Sequence, residues 1–265
     1  MKEQTYDFIL NGMTYSYSSI NTYQQCPYAF KLSYLNNVPK VNNAFAQFGG
    51  FIHDILEKYF SGELMVWELS DYFKDNYGKK VRLTFPPNRY VDLAQSYYDF
   101  GLTFFEDFDF PFEDYEIFSI EKTIKFASGK NKLTARPDLI LTNRESGDKI
   151  LFDYKTERVK TTKKDKSKQL EKVMRQMQLY VYALWVDSNI EIDEMRIWFV
   201  RDGIFHSEKV DAGNIAIAMA WVSETIDEIQ SETEWSPTNT KENEFFCRYL
   251  CGVRNHCKYI DNPAP

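Results

Sequence analysis

The alternation of apolar and polar residues along the chain predicts helices in its first part. The segment TYSYSSINTYQQCPYAFKLSYL predicts an N-terminal helix over about residues 17–35, with Ser18 or Ser19 as its N-cap. A second helix is predicted over about 48–60 and a third near 90–108. Two successive prolines interrupt the polar and aromatic stretch between the second and third helices.

The period of the pattern then shortens to two residues, which is the side-chain period of a strand. Residues 115–126, 132–142 and 149–155 predict three strands, and Gly129 and Gly147 lie in the turns between them. These segments indicate a sheet rather than a continued helical bundle.

A long helix over about 168–187 follows the strands, and then the strand EMRIWFVRDG and a helix near 211–230. This order predicts an α/β fold with a mixed central sheet flanked by helices, a helical N-terminal region and a C-terminal tail without a clear period. We assign the whole chain, residues 1–265, to one domain with its core over about 45–205.

The composition is that of a globular protein, with 43% hydrophobic and 27% charged residues. Aromatic residues are frequent at 17%, and they include 18 Tyr and 21 Phe. Two interpretations are open: the rings fill the core, or some of them stack on unpaired bases of a nucleic acid.

No apolar run approaches the roughly 18 to 20 residues that span a bilayer, and the start MKEQTYDFIL has no signal-peptide pattern. We therefore expect a cytoplasmic protein with no membrane partner. In a reducing compartment the four cysteines are expected to be free or metal-bound rather than paired.

The net charge of −7 argues against nucleic-acid binding over the whole surface, but the charge is unevenly distributed. Residues 155–175 carry nine Lys or Arg against three acids. The run is either a solvated, mobile loop or a loop that follows a phosphate backbone. In the second case, the candidate DNA-binding residues are Lys163, Lys164, Lys166, Lys168 and Arg175.

Two strand segments carry the residues with the clearest chemistry. Asp138 lies in ARPDLIL, and Asp153 and Lys155 lie in ILFDYKT. Because side chains alternate along a strand, Asp153 and Lys155 project to the same face. Carboxylates on neighbouring strands can hold a hard divalent cation, and a nearby lysine can stabilise charge on a phosphate. Charged groups that directly follow the apolar run ILF are costly unless they are paired or bind a metal.

These segments resemble the signature of the PD-(D/E)xK nuclease superfamily, and more narrowly its RecB-type branch. The branch also carries a Gly-x-x-His helix and a Gln-x-x-x-Tyr helix, which match Gly50 and His53 in GGFIHDILE and Gln176 and Tyr180 in RQMQLYVYAL. The N-terminal YSSINTYQQCPYAFKLSYL is similar to the start of these proteins, so that the resemblance covers about residues 16–258. It implies a restriction-endonuclease-like core.

By this resemblance, the metal ligands would be His53, Asp138, Asp153 and the carbonyl of Tyr154, and Lys155 would be the catalytic lysine. Gln176 and Tyr180, four residues apart on one helical face, would help to position DNA or Lys155. The metal would be Mn²⁺ or Mg²⁺, and the imidazole ligand favours manganese. The reaction would be phosphodiester hydrolysis by metal-activated water. Two further residues, Glu121 and Glu57, are candidates for auxiliary acids, but for either we expect a solvated surface position.

The cysteines form one distant residue, Cys26, and a C-terminal trio, Cys247, Cys251 and Cys257, with the spacing Cys-x3-Cys-x5-Cys. This arrangement resembles the iron–sulfur subgroup of RecB-type nucleases, which includes AddB-type subunits and CRISPR-associated adaptation nucleases. It implies a 4Fe–4S cluster that joins the N-terminal helix to residues 240–258. The first spacing is one residue longer than the usual Cys-x2-Cys. A zinc site, with His256 or Cys26 beside the trio, and a metal-free set of thiols are the alternatives.

The function implied is that of a metal-dependent DNA exonuclease acting on single-stranded ends or flaps, in repair, recombination or the processing of phage or mobile-element DNA. One alternative is a CRISPR adaptation nuclease that trims spacer precursors with an integrase partner. Another is a non-catalytic DNA-binding scaffold. The chain has no G-x-x-x-x-G-K-[ST] motif, so a helicase partner would be a separate protein.

Overall fold

A computed structural model describes residues 6–110, 112–261 and 263 of the chain, and these form two compact units. The terminal unit comprises the described residues of Met1–Asn43, Lys125–Ala135 and Ala216–Pro265. The central unit comprises those of Ala44–Ile124 and Arg136–Ile215. None of the described helices combines the length and apolar character that a membrane crossing requires. The assignment of residues 1–265 to a single domain stays a prediction.

The secondary structure follows the order helices, strands, helix, strands, helix. The α-helices are α1 (Asp7–Gly12), α2 (Tyr17–Gln25), α3 (Pro27–Phe30), α4 (Ala44–Phe60), α5 (Leu69–Lys80), α6 (Leu93–Glu106), α7 (Lys163–Ser188) and α8 (Ala212–Ser231). The strands are β1 (Thr14–Ser16), β2 (Tyr115–Ile120), β3 (Ile124–Ser128), β4 (Asn131–Ala135), β5 (Leu139–Asn143), β6 (Lys149–Lys155), β7 (Glu194–Phe199) and β8 (Ile204–Lys209). Short 3₁₀ or π turns occur at Lys31–Leu35, Val66–Glu68, Phe246–Leu250 and Arg254–His256.

The central unit is built on a five-stranded sheet with the order β2-β5-β6-β7-β8. Strands β6 and β7 are parallel and are connected through α7, whereas the other neighbours are antiparallel. The terminal unit contains a second sheet of order β1-β4-β3, in which β1 and β4 are parallel. The predicted α/β class, with mixed sheets flanked by helices, is confirmed.

Alternation along β6 divides its side chains between two environments. Phe152 and Tyr154 enter an apolar cluster with α4, whose buried positions recur at helical spacing. Asp153 and Lys155 lie on the opposite side of the strand, where Lys155 contacts α7. Most aromatic rings of the central unit belong to the apolar cluster, so a ring-rich core accounts for much of the aromatic content.

Two of the predicted strands are each divided between the two sheets. The segment 115–126 breaks after Ile120, where Glu121 adopts a φ of +45°, and the segment 132–142 breaks at residues 136–138. Pro137 explains the second break, since it has no N–H for a sheet ladder and restricts the residue before it. Asp138 therefore directly precedes β5 instead of lying in the middle of a strand.

The start of α7 also differs from the prediction. The helix begins at Lys163 rather than near residue 168, because Thr162 caps it by accepting a hydrogen bond from the backbone N–H of Asp165 at 3.1 Å. The basic residues from Lys163 onward are therefore helical, whereas both interpretations of the sequence placed them in a loop.

The N-terminal region is not one continuous helix. Ser16, rather than Ser18 or Ser19, caps α2 through a reciprocal pair of hydrogen bonds with Ser19. The helix ends at Gln25, and Pro27 occupies the first position of α3. The pattern of apolar residues also did not identify α5 or separate β8 from β7.

Candidate active site

The two breaks between strands meet at one end of the central sheet. Because β2 and β5 are antiparallel neighbours with Ile120 opposite Leu139, the residue after β2 lies beside the residue before β5. The backbone N–H of Glu121 donates a hydrogen bond of 3.0 Å to the carbonyl oxygen of Asp138. This contact brings two acidic side chains to the end of the sheet where β6 finishes.

His53 of α4 joins these residues. Its Nδ1 lies 3.6 Å from Oδ2 of Asp138, and its Nε2 lies 3.1 Å from the carbonyl oxygen of Tyr154. The backbone N–H of Tyr154 donates to the same Asp138 oxygen at 3.1 Å. The main chain at Tyr154 therefore fixes both side chains, while the Tyr154 ring stacks on Phe60 in the core.

Glycine allows α4 to approach the end of β6. A Cβ atom on Gly49 would lie 2.9 Å from Oγ1 of Thr156, which is closer than ordinary packing allows. A Cβ on Gly50, the glycine of the Gly-x-x-His pattern, would meet nothing within 4 Å. Thus Gly49 serves the packing of the helix, and Gly50 leaves open space one turn before His53.

Lys155 is held from two sides. Its Nζ lies 2.6 Å from Oδ2 of Asp153, a distance typical of an ion pair, although the angles are not those of a hydrogen bond. Lys155 Nζ also donates to Oε1 of Gln176 at 3.3 Å, and Gln176 Nε2 donates to the hydroxyl oxygen of Tyr180 at 2.7 Å. The predicted spacing of four residues on α7 thus places Gln176 and Tyr180 in one chain of contacts that ends at Asp153.

Crowding of acidic groups perturbs their ionisation. Burial raises the pKa of Asp138 to about 6, and Asp153 adds to the effect while His53 and Lys155 oppose it. Burial and Asp138 raise the pKa of Glu121 to about 7, although Arg136 Nε lies 2.6 Å from its Oε2. For Lys155 burial opposes the charge, but Asp153 and Asp138 outweigh it and raise the pKa. The carboxylates therefore lie in a region that favours added positive charge.

His53, Glu121 and Asp138 offer ligand atoms within 4.8 Å of one another. The 3.1 Å between His53 Nε2 and the Tyr154 carbonyl is also close to the roughly 3.0 Å that separates adjacent ligands of an octahedral cation with bonds of about 2.1 Å. The nitrogen and oxygen donors thus fit a divalent cation such as Mg²⁺ or Mn²⁺.

Glu121 is a site residue for which sequence reasoning favoured a surface role. The expectation of a solvated surface position is wrong, since only 14% of its side chain is exposed. Asp153 is paired with Lys155 and is not one of the three residues whose ligand atoms lie within 4.8 Å of one another, so its role as a metal ligand stays a prediction. Pro137 was the available signal. A strand cannot continue regularly through this proline, so the neighbouring segment that contains Glu121 loses its ladder partner at that point.

In the terminal unit, Cys26, Cys247, Cys251 and Cys257 line one small apolar cavity. The thiols are free, and burial together with the neighbouring cysteines raises the pKa of Cys247 to about 11. Among the described residues, these sulfur atoms do not form a group with mutual distances of 4.8 Å or less. A tetrahedral zinc with Zn–S bonds of about 2.3 Å would need sulfurs about 3.8 Å apart. Which centre these cysteines hold stays a prediction; His256 is exposed.

The remaining sequence candidates lie on α7, the helix that also carries Gln176. Lys163, Lys164, Lys166 and Lys168 are exposed in its first turns. Positive side chains at a helix N-terminus oppose the helix dipole, so their concentration there favours an anionic partner. Arg175, further along the same helix, is paired with Glu171, four residues earlier.

Comparison with known proteins connects this geometry to a family. The family model described as the PD-(D/E)XK nuclease superfamily matches residues 14–258. A comparison with curated protein sequences finds no match. A solved structure from Eubacterium rectale, described as a "putative exonuclease", is 11% identical, with a TM-score of 0.55 over 100% of this chain and 96% of that chain. At this identity the likeness concerns the fold alone.

Proposed function

We propose that this chain, which belongs to the PD-(D/E)XK nuclease superfamily, is a metal-dependent DNA exonuclease acting on single-stranded ends or flaps. The observation that carries the proposal is the placement of the Asp153–Lys155 pair beside His53, Glu121 and Asp138 at one end of the sheet. Acidic groups and a fixed ammonium at one sheet end are suited to binding a cation and a phosphate together.

In the proposed mechanism, His53, Asp138 and the Tyr154 carbonyl hold a divalent cation, with Glu121 and Asp153 as the neighbouring carboxylates. The cation, Mn²⁺ or Mg²⁺, supplies Lewis acidity that lowers the pKa of a water and neutralises charge on the phosphate. Tyr154 fixes the geometry, because its backbone contacts both His53 and Asp138. Its buried ring anchors that backbone in the core.

Lys155 provides a permanent positive charge at the scissile phosphate. Asp153 raises the pKa of Lys155, so the ammonium does not release its proton near neutral pH. Such a group stabilises negative charge on the phosphate oxygens and orients the attacking water. Gln176 and Tyr180 act as positioning residues, since they contact Lys155 or each other rather than the reacting atoms.

The exposed lysines at the start of α7 are proposed to bind the phosphate backbone of the DNA strand. Single-stranded substrates also need surfaces on which bases can stack. Exposed aromatic residues such as Trp67 (74% exposed) and Tyr90 (92% exposed) are candidates for this role. This combination favours a strand with unpaired bases.

We further propose that Cys26, Cys247, Cys251 and Cys257 hold a 4Fe–4S cluster. Support comes from the small apolar cavity that all four cysteines line. The contribution would be structural, since the ligands join helices near the start of the terminal unit to its last residues. A CRISPR adaptation nuclease would use the same site with an integrase partner, whereas a non-catalytic scaffold would not need the Asp153–Lys155 pair.

The test is incubation of end-labelled single- and double-stranded DNA with Mn²⁺ or Mg²⁺. We expect single-stranded ends to be shortened progressively and EDTA to stop the reaction. A closed circular single strand serves as the control, because an exonuclease has no end to attack. Cutting of the circle would contradict the exonuclease assignment alone, and intact DNA under every metal condition would contradict a nuclease activity.

A further inference from the structure

A second cationic feature lies next to the end of β6. Arg201 follows β7, whose last residue, Phe199, is opposite Lys155 in the parallel pair. The backbone N–H of Val200 continues this pairing by donating to the carbonyl oxygen of Lys155 at 3.1 Å. Since strand residues rise about 3.3 Å each, the Arg201 backbone starts within two residues of the level of Lys155.

The Arg201 guanidinium is held by aromatic rings rather than by an acid. Its Cζ lies 4.0 Å from the ring centroid of Tyr97 and 5.6 Å from that of Phe100, both on α6. Its Nε is buried without a hydrogen-bond partner among the described residues. The neighbouring carboxylate of Asp202 is close enough to favour the charge of Arg201, and its Oδ2 accepts a hydrogen bond of 2.7 Å from the Val159 backbone.

The loop between β6 and α7, which contains Val159, carries a second arginine, Arg158, whose side chain is exposed. Gln169 of α7 fixes the loop, because its Nε2 donates to the Arg158 carbonyl at 3.0 Å and its Oε1 accepts from the Lys160 N–H at 2.9 Å. Gln169 is itself only 8% exposed. Burial lowers the pKa of Arg201, and Arg158 is near enough to lower it further. The hydrogen bond from Val159 to Asp202 thus holds the backbone segment of Arg158 beside that of Arg201.

The like charges of Arg158 and Arg201 repel each other, and an anion that both can contact would offset this repulsion. Guanidinium groups match phosphate oxygens in geometry and bind them through charge-assisted hydrogen bonds. Because Arg201 lies beyond the level of Lys155, a phosphate bound to it would lie next to the group of His53, Glu121 and Asp138 and not within it.

We propose that Arg158 and Arg201 form a second phosphate site, which holds an internucleotide phosphate next to the scissile one. This inference rests on the proposed nuclease function and adds a requirement to it. The DNA strand must carry a phosphate at a fixed distance from the cleaved bond. The two arginines would therefore determine the position at which the DNA strand is bound. Tyr97 and Phe100 keep the Arg201 plane oriented for that contact.

The test measures binding of a fluorescent 12-nucleotide single strand by anisotropy in EDTA, where no cutting occurs. A series of strands carries one neutral methylphosphonate linkage, moved one step at a time. For the wild-type protein we expect one linkage at which the substitution weakens binding about tenfold, the loss of one charged hydrogen-bonded contact. Arg158→Gln and Arg201→Gln should weaken binding of the unmodified strand similarly and remove the sensitivity at that linkage. Arg201→Lys should restore only part of the affinity.

Arg144→Gln is the matched control, since Arg144 is an exposed arginine of the same unit, and it should leave the pattern unchanged. Arg158→Gln also removes an exposed side chain without disturbing the core, so its result does not depend on the stability of the Arg201 variants. Wild-type affinity and an unchanged linkage pattern in Arg158→Gln and Arg201→Gln would overturn the inference while leaving the nuclease function intact. Failure of the wild-type protein to bind the strand in EDTA would also overturn the inference, whereas the nuclease function is tested separately by the cleavage assay with Mn²⁺ or Mg²⁺.

Discussion

Glu121 donates a backbone hydrogen bond of 3.0 Å to Asp138, which joins the ends of two interrupted strands and brings their carboxylates together. Glu121 directly follows β2 and Asp138 directly precedes β5, so neither lies in a regular ladder position. Their proximity explains both the raised pKa values of these acids and the group that they form with His53.

Glu121→Gln should weaken metal binding. Without metal, removing one acid from a crowded acidic group should leave the melting temperature unchanged or raise it. With Mn²⁺, stabilisation by ligand binding should be smaller than in the wild-type protein, because one oxygen ligand is lost. A melting series over Mn²⁺ concentration measures both effects. Glu57→Gln is the control, and an equal Mn²⁺ response in all three proteins would remove Glu121 from the metal site.

Lys155→Ala should abolish cleavage and also destabilise the protein, because it leaves the buried carboxylate of Asp153 without its partner. The double variant Lys155→Ala/Asp153→Asn should be equally inactive but more stable than the single variant, since the unpaired charge is gone. Activity assays and urea unfolding separate the two effects. Turnover close to wild type in Lys155→Ala would refute the assignment of the catalytic lysine.

Gln176→Ala should lower kcat by about tenfold, corresponding to about 1.4 kcal/mol from a lost positioning contact, and leave KM nearly unchanged. Tyr180→Phe should have a smaller effect, because Tyr180 contacts Gln176 rather than Lys155. The double variant should be no worse than Gln176→Ala, as expected for residues acting in one chain. Additive losses would instead indicate separate contributions.

Replacing Lys163, Lys164, Lys166 and Lys168 together by Ala should weaken DNA binding and flatten its salt dependence. For a single strand, each lost phosphate contact lowers the log–log slope by about 0.7. Binding measured at several salt concentrations gives the slope. A double variant of exposed lysines in the terminal unit, Lys125→Ala/Lys132→Ala, controls for net charge, and an equal slope change there would argue for a general effect.

Protein purified anaerobically should be brown, with absorbance near about 400 nm and about four irons per chain. Cys26→Ser should remove the colour and lower the melting temperature, since cluster binding contributes to folding free energy. Cys257→Ser, at the other end of the chain, should do the same if both residues ligate one cluster. Colourless protein with one zinc would favour the tetrahedral site, and metal-free, stable protein would exclude both centres.

The amino-acid sequence by itself determined the features that depend on local periodicity. Alternation along one strand placed Asp153 and Lys155 on one face, and helical spacing placed Gln176 and Tyr180 in contact. Both relationships hold because they involve residues two or four positions apart, where backbone geometry fixes the direction of the side chains.

The tertiary structure alone decided which distant residues meet. A pattern of period two runs through residues 115–126 without indicating that the chain changes sheets near Glu121, and it gives no register that would place Glu121 beside Asp138. Similarly, the backbone segments that carry Arg201 and Arg158 are neighbours because β6 and β7 pair in parallel and Asp202 accepts a hydrogen bond from Val159. Strand pairing and the positions of breaks depend on long-range packing, whereas periodicity reports only on the nearest neighbours along the chain.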